Sequence, residues 1–257
     1  MAYPLFFDIH AGLAGAALGF ARVAPVFFIL PFLNNGVLSG VVRTAVIMLV
    51  VLGMTPFGPA EREAVMNIFG GPCLLREALI GIVLGCLLSW PFWVFHAIGC
   101  IFDNQRGSTL SSSIDPANGV DTSEMATFMN LFSAVVYLQG GGMQMMLETL
   151  RHSYQFCGLT TGCMPALPLL LGGIGKITAR ALVLASPVLA VLLLGEIMLG
   201  LLSRFAPQMN AFAISLTVKS LLALFILLIY FSPVLSPGVM TLTFPTTVAE
   251  LWLLKET

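Results

Sequence analysis

Charge is what this sequence has least of. Of its 257 residues only 23 are Asp, Glu, Lys or Arg (12 acidic, 11 basic), 9 % of the chain, against 58 % hydrophobic residues and a mean hydropathy of +0.98. A soluble domain carries roughly 25 % charged residues, so the composition excludes a water-soluble globular protein and implies a polytopic α-helical membrane protein. The net charge of −1 leaves no basic footprint of the kind nucleic-acid binding needs. Met1 to His10 lacks a basic region, and no small-residue cleavage site follows, so the first apolar segment is expected to stay in the mature protein.

The motifs of membrane enzymes are missing as well. There is no Gly-x-Ser-Gly nucleophile, no Tyr-Asp with a Gly-x-Gly-Asp partner, no His-Glu-x-x-His and no P-loop. Ser111, Ser112 and Ser113 lie near Asp115 but have no histidine beside them, so a catalytic triad has no support. His10, His96 and His152 are isolated, and no Cys/His cluster has zinc spacing. The chain is therefore read as not an enzyme, with no cofactor and no metal. Cysteine is sparse and scattered. Cys73, Cys86 and Cys100 sit in or beside apolar runs, where a thiol behaves as a small hydrophobe. Cys157 and Cys163 flank the flexible stretch Gly158-Leu-Thr-Thr-Gly162 and leave two readings open, a disulfide on an oxidising side or two free thiols.

What the sequence does have is apolar runs. Six approach the roughly 20 residues needed to cross the hydrocarbon: Ala11–Leu33, Val37–Met54, Leu74–Phe102, Met125–Leu147, Ile174–Leu202 and Ala211–Leu235. The fold class is accordingly an all-α membrane protein of about six hydrophobic helical segments. Pro25, Pro31, Pro91 and Pro187 fall inside these runs, and kinks or breaks are expected there. Asn34-Asn35-Gly36 makes the first two runs a helical hairpin. Gly15/Gly19, Gly36/Gly40 and Gly81/Gly85 have the four-residue spacing that lets two helix backbones approach, a spacing that chance also produces among 25 glycines. Arg204 favours a cytoplasmic turn between the last two runs. A Cys157–Cys163 disulfide would need the preceding turn outside. Together they place both termini outside, with Arg151 arguing the other way.

Arg22, Arg43, Glu77, Arg180, Glu196 and Lys219 lie within or at the ends of apolar runs. Each costs roughly 2.5–3.5 kcal/mol at a bilayer centre, so each must face protein, pair, or lie outside the hydrocarbon. Glu196 and Lys219, on neighbouring runs joined by a short turn, are candidates for a buried charge pair. Assembly chemistry is favoured over a substrate or proton path, because no second carboxylate stands one helical turn from Glu196.

Between the third and fourth runs stands a polar island, Asp103 to Glu124, whose 22 residues hold five of the chain's charges. Gly107–Ser113 is small and polar. Asp115-Pro116 and Ala117-Asn118-Gly119 have turn chemistry. Asp121-Thr-Ser-Glu124 reads as an N-cap with its capping-box partner, starting a helix at about Thr122. A solvated loop with a well-made helix start is one reading; a mobile segment that occupies an aqueous opening is the other.

Three stretches resemble the SctT/FliR family of export-apparatus proteins of type III secretion systems and the flagellum: Ala21-Arg-Val-Ala-Pro-Val-Phe-Phe-Ile-Leu-Pro-Phe-Leu33, Asp103-Asn-Gln-Arg-Gly107 running on to Ser113-Ile-Asp-Pro116, and Arg204-Phe-Ala-Pro-Gln-Met-Asn-Ala-Phe212. The likeness covers nearly the whole chain. The stretch 103–121 and the pair Ser232-Pro233 are especially like the injectisome SpaR branch. The resemblance implies an SctR-like part over residues 1–170 followed by an SctS-like helical hairpin over 171–257. It implies a pore plug at Arg106, Gly107, Ser108, Thr109, Leu110, Ser111, Ser112, Ser113, Ile114, Asp115 and Pro116, and a hairpin tip at Arg204, Pro207, Gln208 and Asn210. The implied partners are SctR-like and SctS-like subunits, an SctU-like switch protein, inner rod or needle proteins, and unfolded secreted substrates. The implied setting is the bacterial inner membrane, within the secretion basal body, with the assembled complex standing largely above the membrane plane. A small-molecule or ion transporter and a purely structural scaffold are the alternative readings; no inverted repeat supports the first.

Overall fold

The computed structural model describes residues 2–33, 37–54, 70–107, 123–158, 167–205 and 211–243, and every regular element among them is helical. In chain order these are α1 (Ala2–Ile29), α2 (Gly40–Met54), α3 (Gly71–Arg106), α4 (Glu124–Gln139), α5 (Gly142–Phe156), α6 (Leu167–Phe205), α7 (Ala211–Tyr230), a π-helical turn (Phe231–Leu235) and α8 (Ser236–Thr241). Among the described residues four stretches are long and apolar enough to cross a membrane: His10–Ile29, Gly71–Arg106, Gly175–Phe205 and Ile214–Thr241. The second run is shorter than expected. It becomes a 15-residue helix, about 22 Å long, below the roughly 30 Å hydrocarbon thickness.

The fourth run does not continue to Leu147. Gly140, Gly141 and Gly142 interrupt it, with Gly141 in the left-handed region at φ 81° and serving as N-cap of α5. A conformation open to glycine at low cost thus turns one expected span into two short helices. Proline, conversely, breaks less than expected. Helix continues through Pro25, Pro91 and Pro187, whereas α1 stops at Ile29, just before the residue preceding Pro31. In the last run Pro233 cannot donate to the ladder, and the chain accommodates it in the π-turn, where the Ser236 amide donates to the Phe231 carbonyl.

Packing sorts the chain into two compact bodies. One contains Met1–Trp90 and Gly141–Gly173, together with Thr243–Thr257; the other contains Pro91–Gly140 and Ile174–Leu242.

In the first body a single arginine organises α1, α3 and α5. Arg22 and Glu77 are both 0 % exposed. Arg22 Nε donates to Glu77 Oε2 at 2.6 Å; Nη1 donates to the Ser153 carbonyl at 3.0 Å and Nη2 to the Cys157 carbonyl at 2.8 Å. Those carbonyls close the C-terminus of α5, where a cation is favoured by the helix dipole. Arg76 Nη2 donates to the other Glu77 oxygen at 3.0 Å. The Tyr154 ring lies 4.2 Å from the Arg22 guanidinium carbon, within the range of a cation–π contact. Its hydroxyl donates to the Gly19 carbonyl at 3.3 Å. Burial, above all, pushes the Tyr154 phenol up to about 12; Arg22 lowers it and Glu77 raises it further. The hydroxyl therefore keeps its proton at any physiological pH. α3 can come this close because Gly81 and Gly85 face α1. A β-carbon at Gly81 would stand 2.1 Å from the Arg22 carbonyl oxygen, and one at Gly85 3.2 Å from the Val26 Cα. The spacing noted in the sequence is a real crossing here, while a β-carbon at Gly40 would meet nothing within 4 Å.

In the second body α3, α4 and the π-turn share an aromatic cluster. Phe132 and Phe231 have centroids 3.9 Å apart, with Phe95 and Phe128 beside them. Phe92 meets Tyr137 edge-on at 5.2 Å, a favoured geometry. Within the spanning stretches Gly175–Phe205 and Ile214–Thr241 an apolar 18-residue segment of each is only 17 % and 11 % buried, which leaves their apolar surface for lipid or other protein.

Two stability outcomes follow. Glu77→Ala leaves Arg22 buried with carbonyls and the Tyr154 ring but without its carboxylate and is expected to cost about 3–5 kcal/mol, whereas Arg22→Met combined with Glu77→Leu removes both buried charges, leaves only the part-exposed Arg76 without this partner, and costs less. Unfolding of the purified chain in detergent measures both. Gly81→Ala drives a methyl into a backbone oxygen and is expected to cost at least about 1–3 kcal/mol. Gly175→Ala, with open space around it, stays within about 1 kcal/mol of the parent.

Candidate functional site

The polar island leaves and rejoins the helical frame through a closed neck in the second body. α3 ends at Arg106, and Gly107 follows at φ 76°, its amide donating to the Asn104 carbonyl at 3.2 Å. This is the left-handed exit that ends many helices and favours glycine. α4 begins at Glu124, capped by Ser123, whose Oγ accepts from the Ala126 amide at 3.1 Å. Asp103, only 2 % exposed, joins the two ends. Its Oδ1 accepts from Arg106 Nε at 2.7 Å and its Oδ2 from the Met125 amide at 3.0 Å; the Ser123 hydroxyl also donates to Oδ2. A carboxylate is well placed on the N-terminus of a helix, where dipole and free amides converge. The approach is allowed by Gly99, since a β-carbon there would lie 2.3 Å from the Ala126 Cα.

The capping differs from the sequence expectation. The N-cap is Ser123 rather than Asp121, and the helix starts at Glu124 rather than near Thr122. The capping-box pattern sought a partner three residues away, but the carboxylate that takes the Met125 amide comes from 22 residues earlier. Only the position of Asp103, a lone acid closing a long apolar run, could have signalled this.

The other candidate residues are placed as follows. Of the plug residues, Arg106 and Gly107 belong to the neck, and Ser108, Thr109, Leu110, Ser111, Ser112, Ser113, Ile114, Asp115 and Pro116 lie outside the described residues. Of the tip residues, Arg204 is exposed in the last turn of α6, and Pro207, Gln208 and Asn210 lie outside the described residues. Lys219 Nζ stands 2.9 Å from Glu196 Oε1, with side chains 11 % and 55 % exposed. The two are brought together, but Glu196 is not buried within the chain. Cys157 is buried and disulfide-bonded; Cys163 lies outside the described residues. Cys73, Cys86 and Cys100 are free. Among the described residues no group of three or more His, Cys, Asp or Glu is placed to hold a metal ion.

The neck makes a local prediction. Asp103→Ala removes the acceptor of the Met125 amide and is expected to cost about 1–2 kcal/mol at that helix end, so amide exchange over the first turn of α4 speeds up by roughly five- to thirtyfold. Exchange in the middle of α1 stays at its parent rate. Hydrogen-exchange mass spectrometry reads both.

Residues 13–243 match the family described as bacterial export proteins, family 1. The chain is 61 % identical, over 252 residues, to the surface presentation of antigens protein SpaR of Salmonella typhimurium, covering 98 % of this chain and 96 % of that one. It is 51 % identical to SpaR of Shigella flexneri over 234 residues, 89 % of this chain and 91 % of that one. It is 30 % identical to the Yop proteins translocation protein T of Yersinia pestis over 216 residues, 81 % and 82 % of the two chains. With its apolar helices, the chain is thus a multi-pass membrane component of a type III secretion export apparatus, and it belongs to the SctT/FliR family of bacterial export proteins, in the SpaR branch.

Proposed function

We propose that this chain is a subunit of the inner-membrane export gate, and that its polar loop is the plug that seals the pore when no substrate passes. Residues 1–170 form the SctR-like part and 171–257 the SctS-like hairpin part, whose tip is Arg204, Pro207, Gln208 and Asn210. The partners are SctR-like and SctS-like subunits and an SctU-like switch protein, with inner rod or needle proteins beyond them. The cargo is unfolded effector or needle protein, driven through by other components.

The observation that carries the plug reading is the neck. The loop's two ends, at Arg106 and at Met125, are tied to one buried carboxylate, so its base is fixed. A seal that must yield to a polypeptide and then close again needs that arrangement: a stem that holds its place and a tip that can be displaced. Gly107–Ser113 is uncharged and mostly small, which suits the residues beyond Gly107 to the moving part; Asp115–Glu124 leads back to the cap and suits the anchor. The role is passive gating, in which the loop excludes ions and small solutes at rest and no bond is made or broken.

Deleting Gly107–Ser113 is expected to raise ion conductance through assembled complexes reconstituted in planar bilayers, while the complex keeps its subunits. Unchanged conductance in a complex of normal composition would sink the plug reading.

A further inference from the structure

The Arg22 centre leans on one helix end. Arg22 Nη1 and Nη2 both donate to backbone carbonyls that close α5, those of Ser153 and Cys157. Helix ends fray, and a helix this short is marginal by itself. α5 has 15 residues and an outer face on which Arg151 and Gln155 are exposed, so its buried stripe alone holds it to the body. Fraying of its last turn would leave donors of a wholly buried cation unpaired, which is costly. Cys157 stands at the point where that would begin. Its amide donates to the Ser153 carbonyl at 2.9 Å, its own carbonyl accepts from Arg22 Nη2 at 2.8 Å, and its backbone leaves the helix at φ −114° and ψ 78°. It is 1 % exposed, and its sulfur is in a disulfide. The residue that brings a carbonyl to Arg22 is therefore also the one held covalently. Cys73, Cys86 and Cys100 are free, and the sequence has one further cysteine, Cys163.

We infer that a Cys157–Cys163 disulfide is the covalent lock of the Arg22 centre, and that the first body closes firmly only after a thiol-oxidising protein has made it. The step turns two thiols into one disulfide. The Cys157 and Cys163 sulfurs together lose two protons and two electrons as the S–S bond forms. The electrons pass to a disulfide of the oxidant protein, which leaves as a dithiol. Such oxidants act in oxidising compartments, whereas the cytosol keeps thiols reduced. The turn after α5 therefore faces the oxidising side of its membrane, and the lock orders two events. Until that turn has been delivered and oxidised, Arg22 lacks a fixed pair of carbonyl acceptors. Once the short loop is closed, the Cys157 carbonyl is held in place, and α1, α3 and α5 stay joined through the one guanidinium. The lock acts on the frame of the subunit and stands whether or not the polar loop is a plug.

Peptide mapping without reduction, on the full-length chain taken from its native membrane, is expected to return a linked Cys157–Cys163 peptide. In a strain without the compartment's thiol oxidant the linked fraction is expected to fall severalfold. Two free thiols in the parent strain, or an unchanged linked fraction in the oxidant-free strain, overturn the inference. Hydrogen exchange on the purified chain then separates a lock on the centre from a local staple. Cys163→Ser is expected to speed exchange over the last turn of α5 by roughly ten- to a hundredfold, the scale of releasing a short cross-linked loop. Amides around Arg22 in α1 are expected to speed up with it, while those in the middle of α4 keep their parent rate. Faster exchange in α5 alone, or no change in either helix, overturns the inference. A double-mutant comparison gives a second readout. With Arg22→Met and Glu77→Leu in place, no buried cation waits on the α5 carbonyls, so Cys163→Ser is expected to lower the melting temperature in detergent by less than it does in the parent. Equal losses in the two backgrounds make the disulfide a general stabiliser and overturn the lock.

Discussion

The first body depends on one constraint: a guanidinium taken wholly out of water must have its charge and its donors answered by the fold. Arg22 meets that demand from three directions at once, through Glu77 on α3, the closing carbonyls of α5 and the Tyr154 ring. Each partner fixes something different. Glu77 sets the register of α3 against α1, and Gly81 and Gly85 allow the backbones to close to that register. The α5 carbonyls fix where that short helix stops. In a membrane protein, apolar side chains gain little by leaving lipid for protein, so close backbone packing and polar contacts carry more of the specificity. A buried ion pair is weak evidence for stability, but it is well suited to choosing which helices meet and where.

α3 supplies a second fixed point, near its other end. Asp103 does for the polar loop what Arg22 does for the first body, with the polarity reversed: Arg22 donates to carbonyls at the C-terminus of α5, and Asp103 accepts from an amide at the N-terminus of α4. Both devices rely on a glycine that removes the side chain in the way: Gly81 opposite Arg22 and Gly99 opposite Ala126. A single long helix therefore presents one face shaped to pack against α1 and a terminus shaped to hold a loop. That division explains why its polar and glycine residues sit where they do in an otherwise apolar sequence.

Much of this was legible in the residues. The apolar runs, the glycine pair at 81 and 85 and the polar island at 103–124 each carry a local signal with a period or a composition. What was not legible depends on contacts with no local signature. Arg22 and Glu77 are 55 residues apart, and neither flanking sequence differs from that of an unpaired charge. Asp103 caps a helix that begins 21 residues later, while the pattern rules for caps look only three or four residues away. The break at Gly140–Gly142 was readable in principle, since three consecutive glycines weaken any helix, but the hydropathy of the flanking residues masks it. At Pro25, Pro91 and Pro187 the helix is not broken, since packing holds it through positions that would end it in water.

The charges within and beside the apolar runs can then be sorted by how completely the chain itself answers them. Arg22, Glu77 and Asp103 are buried and fully engaged, and they shape the subunit. Glu196 and Lys219 answer each other at 2.9 Å, yet Glu196 remains more than half exposed on helices that bury little of their surface. Arg43 is buried with no hydrogen-bonded counterpart at Nε, and Arg180 stands exposed on α6. In an apolar environment the charges that find no partner are the costly members of this series. Arg22, Glu77 and Asp103 thus shape the chain from within, while Glu196 and Arg180 present charge on the surface of helices that bury little of themselves.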